Sequence, residues 1–442
     1  MQKDFSQAQK YLLSLIPKGD YVFPGEIGLK RMQALLEELD NPQSHYITVH
    51  IAGTSGKGST CYMIAKILES AGYKTGLTVS PHIVSIHERM QINSTMISDE
   101  EFARIVFDLK PTFEKVSKGK YGEVSYFEAQ IAIIFEYFKR QNVDIVVVET
   151  GLGGTYDATN VLNSIISVIT PIGYDHTDIL GETLTEIAGN KAGIIKDSNR
   201  VVVSGLQEEE AEEVLRNRAQ QMGVVCVMED ENFQITVNLQ SEEGIDFNYT
   251  NDYYNTVFNN LECKLLGAHQ AHNAALAITA CLELRDVGYE IDEKAIRKAL
   301  KEVRIPGRLE IIKKNDKTYI LDGAHNEEKV KALANALQNI WPQKKFTTIF
   351  ASKKDKDVDK EAEILIPYIE KLIATRYTIM MHAGKYSALE PQTIAEAFKG
   401  VGYKGEVEVF ENPKEAVDKV SDDVVLVTGS LYLVSEIRNM LC

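Results

Sequence analysis

The chain has 442 residues, 44% of them hydrophobic and 25% charged, with a formal net charge of −16. That length exceeds one ordinary hydrophobic core and predicts two domains, and the composition excludes a disordered or fibrous protein. The acidic balance argues against nucleic acid as a partner, and no apolar run approaches the roughly 20 residues that span a bilayer.

The first half alternates short apolar runs with helix-period segments, the pattern of βαβ units around a parallel sheet. Tyr46–Ala52 is a predicted strand, and the segment Ser59–Ala71 carries Met63, Ile64, Ile67 and Leu68 at helical spacing. Val143–Val148 and Ile165–Thr170 are continuous apolar runs, as in strands covered on both faces. An acidic helix (QEEEAEEVLRNRAQQ) precedes polar strands up to about residue 260. After a helix at Asp292–Val303, Pro306 and Gly307 interrupt the period and mark a boundary. A second alternating series follows, with strands expected at Tyr319–Leu321, Phe346–Phe350, Tyr377–Met381, Val407–Phe410 and Val424–Val427 and a helix at Glu328–Trp341. The expected fold is α/β: an N-terminal P-loop mononucleotide-binding domain (1–303) with a parallel-rich sheet, then a smaller Rossmann-like α/β domain (304–442). The N-terminus has no basic start, apolar stretch and small-residue cleavage site, which points to the cytoplasm. The five scattered cysteines, with no C-x-x-C, read as reduced thiols.

Chemistry concentrates at predicted strand ends. Gly53-Thr54-Ser55-Gly56-Lys57-Gly58-Ser59-Thr60 joins a strand to a helix. In such a turn backbone N–H groups and the helix dipole favour a phosphate. Lys57 adds charge for the β- and γ-phosphates, and Ser59 or Thr60 can reach Mg2+. The spacing departs from G-x-x-x-x-G-K-[ST], because the loop is shorter and Gly58 separates Lys57 from Ser59. Glu149 ends a strand where a buried carboxylate needs a cation, and glycines 151, 153 and 154 allow a ligand to approach the backbone. His176, in DHTD, is a second metal-ligand candidate, although a lone histidine is as often a structural residue. Lys191 lies in a small-residue-rich helix, where its alternative is a simple exposed cation. Asp322, His325 and Asn326 cluster at a strand-to-helix turn that can equally be an N-cap. Gly429-Ser430 is a similar turn. In Gly267–Asn273 (GAHQAHN) the histidines and amides either pack or read a base edge.

Together AGTSGKGST, TVSPHIVSIHERMQI, VVVETGLGGTYDATN, ITPIGYDHTDILGETLTEIAGNKAGIIK, GAHQAHNAALA, PGRLE, LDGAHN, KKDKD and VTGSLYLVSEIR resemble the folylpolyglutamate synthase and dihydrofolate synthase family. That family is a branch of the Mur ligase superfamily, and the resemblance covers nearly the whole chain. It implies an ATP-dependent ligase that joins L-glutamate to a pteroate or folate through an acyl phosphate, with ATP and Mg2+, as a monomer. By position, Ser59 and Glu149 resemble the magnesium ligands and His176 the ligand of a second magnesium. Lys191 resembles the lysine that Mur ligases carbamylate. Asn273, Arg308 and Asp322 resemble nucleotide contacts, and Asp322 and His325 residues that meet ATP or glutamate. Arg89 and Ser430 resemble glutamate-side residues; Ser80, Pro81, His82, Asp157 and Ala158 resemble pterin- or folate-side ones. Ser55, Thr155-Tyr156 and Ile305 depart from the family pattern and bear on substrate choice rather than on ATP chemistry. The alternatives are a Mur-type ligase for another carboxylate and a nucleotide-dependent binding switch.

Overall fold

The structure is a computed structural model that describes residues 4–16, 23–354, 356–378 and 387–442. One sheet contains β1 (Ile47–Ala52), β2 (Thr75–Thr78), β3 (Gln91–Ile92), β4 (Thr95–Met96), β5 (Ile145–Glu149), β6 (Ile166–Ile169), β7 (Val201–Ser204) and β8 (Val225–Met228), in the order β4-β3-β2-β5-β1-β6-β7-β8. Neighbours from β2 to β8 pair in parallel, and only the β2-β3-β4 edge is antiparallel. Val49, Ile51, Val146, Val148, Val168 and Val202 are fully buried, as strands covered on both faces require. β1 lies between β5 and β6. From β1 the chain crosses to β2 on the far side of β5, whereas β6, β7 and β8 build the opposite edge. The loop leaving β1 therefore opens at the reversal of strand order, where open α/β sheets bind ligands.

A three-stranded sheet, ordered β11-β10-β9, follows from β9 (Phe233–Ser241), β10 (Gly244–Asn251) and β11 (Thr256–Cys263). The last sheet contains β12 (Glu310–Lys314), β13 (Lys317–Leu321), β14 (Phe346–Phe350), β15 (Ile369–Ala374), β16 (Glu406–Val409) and β17 (Val424–Thr428), in the order β12-β13-β17-β14-β15-β16. Only β12 runs antiparallel to its neighbour. The period of two is visible in its cores: Ile320, Phe350, Leu372 and Leu426 pack on one face, and Tyr319, Leu321, Ile349, Ile373, Val425 and Val427 on the other.

The chain forms two compact units. The first contains the residues up to Thr236, Asn248–Asn259 and His272–Lys301; the second contains Val237–Phe247, Asn260–Ala271 and Glu302–Cys442.

The strand expected at Tyr377–Met381 falls mostly outside the described residues, and the described strand of this region lies earlier in the chain. Ile369–Ala374 forms β15 instead, between β14 and β16, once the Ile366–Tyr368 turn has ended the preceding helix. Tyr377 and Thr378 lie outside any strand, and residues 379–381 lie outside the described residues. Asp355 of KKDKD also lies outside them.

Candidate active site

The Lys57–Ser70 helix begins at the end of the β1 loop, capped by Gly56 in a left-handed conformation (φ 88°). The loop is braced by β6: Thr54 and Ser55 N–H donate to the Pro171 carbonyl (3.0 and 3.4 Å), and the Thr54 hydroxyl donates to Gly173 O while accepting from Gly173 N–H, both at 3.0 Å. Two of the loop amides expected to face phosphate are thus engaged by protein. The donors left for an anion are those of the helix's first turn, which have no intrahelical acceptor by geometry.

Two lysines converge on this loop. Half-buried Lys57 donates from Nζ to the carbonyl of Gly53 (3.1 Å) and to that of Thr54 (3.4 Å). Lys191 donates from Nζ to the same Gly53 oxygen at 2.7 Å. Lys191 is the last residue of the Leu184–Lys191 helix, which starts at a Thr183/Glu186 capping box, and it is only 4% exposed. The exposed-cation alternative is therefore overturned. Both ammonium groups lie on one oxygen, so they are no more than about 6 Å apart. Their repulsion at an effective dielectric near 20 is roughly 3 kcal/mol.

The glycines after β5 do a different job from the one expected. A Cβ at Gly154 would meet the carbonyl oxygens of Asn190 and Lys191 at 2.7 Å, and one at Gly151 would meet the Phe127 ring at 2.4 Å. Gly154 admits the helix that carries Lys191, and Gly151 the Phe127 ring of the Tyr126–Arg140 helix. Gly154 N–H donates to Asn190 Oδ1 (3.0 Å) and Thr155 N–H to Asn190 O (2.8 Å), which fixes that helix end.

Glu149 is 7% exposed and accepts from Ser80 N–H at 2.9 Å. Its carboxylate lies 3.5 Å from where a Cβ on Gly58 would stand, beside Ser59 at the helix start. These hard oxygen donors fit a magnesium ion that keeps water and phosphate among its ligands. Among the described residues no group of three or more His, Cys, Asp and Glu side chains converges on one metal position. His176 sits largely exposed in the loop after β6, with a left-handed backbone (φ 52°) and Nε2 at 4.0 Å from Asp175.

The Ser80–Arg89 loop is held by Glu88, a buried carboxylate that accepts from the N–H groups of Ile83 (2.7 Å), Val84 (2.6 Å) and Ser85 (2.9 Å). Arg89 is buried and donates from Nε to His82 Nδ1 (2.9 Å). Arg89, expected on the glutamate side, is thus bonded to His82, expected on the folate side; Ser430 is in the second unit. Pro81 is exposed in the same loop. Asp157 is buried ahead of Ala158, and its oxygens accept from Leu152 N–H (2.8 Å), Thr159 N–H (2.9 Å) and the Thr159 hydroxyl (2.5 Å). Burial pushes its pKa up against those bonds. With both oxygens committed, Asp157 shapes the loop around Ala158 rather than offering an unoccupied acceptor. Behind it, His50 Nε2 meets the Thr159 hydroxyl at 2.8 Å, and burial depresses that imidazole to about 3, so it is neutral.

Asn273 lies on the His269–Arg285 helix and packs directly over the β1 loop: a Cβ at Gly56 would come within 2.3 Å of Asn273 Oδ1. Gly56→Ala meets both that contact and the positive φ, and is expected to lose about 1–3 kcal/mol of unfolding free energy in urea titrations. Adding Asn273→Ala should recover the steric part only; no recovery would refute this account of the contact.

In the second unit, buried Asp322 follows β13 and accepts from the backbone of Leu309 and Ala324, each at 2.9 Å. Leu309 has a left-handed backbone (φ 46°), which this bond holds. Arg308 precedes it, its Nη1 3.5 Å from where a Gly323 Cβ would stand. Burial raises the Asp322 pKa, and Arg308 opposes that. His325 Nδ1 faces Gly323 O (2.8 Å) and its Nε2 faces Lys329 Nζ (3.2 Å). Burial first, and then Lys329, Lys356 and Lys353, hold it well below its ordinary pKa, as a neutral ring with Nδ1–H donating. Asn326 caps the Glu327–Ile340 helix, the alternative left open for this turn. Ser430 is buried and caps the Leu431–Leu441 helix by accepting from Tyr432 N–H (3.2 Å), and Lys353 Nζ lies 5.2 Å from the Tyr432 ring centre.

The fold and these loops match known proteins along nearly the whole chain. Residues 51–281 match the Mur ligase middle domain and residues 307–431 the Mur ligase, glutamate ligase domain, so this is a ligase of the Mur class. The dihydrofolate synthase/folylpolyglutamate synthase of Bacillus subtilis is 36% identical over 431 residues, covering 94% of this chain and 95% of that protein. The folylpolyglutamate synthase of Thermotoga maritima superposes with a TM-score of 0.85 at 32% identity, over 99% of this chain and 96% of that one. That of Mycobacterium tuberculosis, complexed with ADP, gives 0.87 at 30% identity, over 99% and 98%. The chain belongs to the dihydrofolate synthase/folylpolyglutamate synthase family.

Proposed function

We propose that this enzyme uses ATP to join L-glutamate to dihydropteroate, to reduced folates, or to both. The observation that carries the proposal is the convergence of Lys57 and Lys191 on the Gly53 carbonyl, at a helix start flanked by the buried carboxylate of Glu149. Cations crowded at a helix N-terminus favour a polyphosphate, and the relatives' names supply the acceptor chemistry.

Residues 1–303 are assigned to ATP and the pterin, and residues 304–442 to glutamate. The substrate carboxylate attacks the γ-phosphorus and the bond to ADP breaks, leaving an acyl phosphate. The glutamate amine then attacks the acyl carbon, loses a proton and expels inorganic phosphate. Bringing two anions together is the main barrier, so charge neutralisation and positioning provide the catalysis. Lys57, the first-turn amides of Gly58 and Ser59 and the Thr60 hydroxyl bind the phosphates, the Thr60 N–H being taken by the Gly56 carbonyl (2.9 Å). Bound magnesium supplies further neutralisation of the phosphate oxygens, held by Ser59 and Glu149, with His176 assigned to a second ion.

Carbamylated, Lys191 becomes an anion, and its repulsion with Lys57 turns into attraction. Asn273, Arg308 and Asp322 are assigned to the nucleotide, Asp322 by holding the backbone beside Arg308. Ser80, His82 and Ala158 are assigned to the folate side, and Arg89, His325 and Ser430 to the incoming glutamate. No helix among the described residues is long and apolar enough to cross a membrane. A monomeric cytoplasmic enzyme is the reading proposed from the family resemblance.

ADP and phosphate should be released only when a pteroate or folate and L-glutamate are both present. Turnover with a UDP-muramyl acceptor instead would establish a Mur ligase of different specificity. Nucleotide binding with no folate binding in calorimetry would establish a switch.

A further inference from the structure

His272 and Glu229 form a pair that the roles above do not use. Glu229 directly follows β8, and its side chain is 1% exposed. One of its oxygens meets His272 Nδ1 at 2.5 Å, and the other accepts from Leu206 N–H at 3.3 Å. Such a carboxylate needs a positive partner, because an uncompensated buried charge costs several kcal/mol. His272 supplies it while remaining about a third exposed (36%).

The pair stands at the carboxyl ends of three adjacent strands. A Cβ on Gly205, after β7, would lie 3.3 Å from Leu276, one helical turn beyond His272. The same Cβ would be 3.3 Å from Pro171, after β6, and 3.6 Å from Glu229, after β8. Pro171 is the residue whose carbonyl braces the phosphate loop, and the next residue after His272 is Asn273, which packs on Gly56. His272 therefore extends the row of polar groups from the phosphate loop across the crevice of the sheet.

We infer that His272, oriented by Glu229, is a specificity-determining residue for the nucleotide, offering its Nε2–H to an acceptor on the base or ribose. This inference rests on the nucleotide-binding reading of the β1 loop. The chemistry follows from the tautomer. With Nδ1–H held by Glu229, the ring carries a proton on Nε2 only as the imidazolium. The hydrogen bond to Glu229 is the largest influence raising the His272 pKa; burial opposes it, and the charges of Glu229 and Asp230 add to it. The donor is thus present at and below the ordinary histidine range and is lost as pH rises through the elevated value.

The test is titration of the full-length wild-type protein and two variants with ADP and magnesium, followed by fluorescence or calorimetry between about pH 6 and about pH 9. His272→Ala should weaken ADP about tenfold at the lower pH and leave folate binding unchanged. His272→Gln, which keeps a donor that does not titrate, should recover most of that loss, and its affinity should lack the wild-type decline at high pH. If wild type binds ADP and His272→Ala binds it within twofold at every pH, the pair merely fastens the helix to β8 and the inference is wrong. Absence of ADP binding to wild type would overturn the nucleotide reading and this inference with it. Binding lost in His272→Ala and equally lost in His272→Gln would overturn the donor role.

Discussion

Lys191→Ala is expected to abolish glutamate ligation, lowering turnover by about a thousandfold or more, as loss of a preorganised charge at a phosphoryl-transfer site does. Formate or acetate added at high concentration should restore part of it, because a small anion can occupy the space left by the side chain and replace the carbamate charge. Lys191 is 4% exposed and shares the Gly53 carbonyl with Lys57, a position at which the proposed reaction calls for a metal-directed anion. Steady-state rates with and without added carboxylate decide the matter, and wild-type activity in the unrescued variant would exclude the carbamate. Loss of activity that no anion restores would leave Lys191 as a packing residue, and the carbamate would be discarded.

Lys57→Ala should separate activity from stability. Removal of the cation assigned to the β- and γ-phosphates is expected to lower kcat/KM for ATP by about 10²–10³-fold. In carbon-dioxide-depleted buffer, where Lys191 is an uncarbamylated ammonium, the folded protein should nonetheless be unchanged or slightly more stable, within about 1 kcal/mol, because one of two mutually repelling ammonium groups has gone. Urea unfolding without nucleotide measures this directly. A marked loss of stability would show that Lys57 holds the empty loop together, and the argument from repulsion would fail.

The elements that carry the site were readable because local signals suffice for them. β1, β5 and β6 are short, almost uninterrupted apolar runs, and the glycine-rich turn after β1 has a backbone requirement that few other segments share. β15 is hard to read locally because Ile369–Ala374 sets two charged residues inside a short apolar run, and its pairing with β14 and β16 is what identifies it. The site's polar connections were less accessible. Glu229 and His272 are 43 positions apart, and Gly53 and Lys191 are 138 apart, so no spacing rule joins them. Glu88 left a local trace, since Ser85 and Glu88 have capping-box spacing, but its hold on three successive amides is visible only in the fold. The glycines after β5 signal close approach without naming what approaches: the Phe127 ring at Gly151, and the helix bearing Lys191 at Gly153 and Gly154.

The hydrogen bond from Ser80 N–H to Glu149 connects the segment assigned to the folate with the carboxylate assigned to the metal. A ligand that moves the Ser80 peptide changes the company kept by one oxygen of Glu149, and so alters the free energy of whatever binds there. Thermodynamic linkage makes any such effect mutual: the factor by which the acceptor substrate changes affinity for metal-nucleotide is the factor by which metal-nucleotide changes affinity for the acceptor. One peptide N–H thus gives the two halves of the reaction a means of sensing each other's occupancy, without any contact between the substrates themselves.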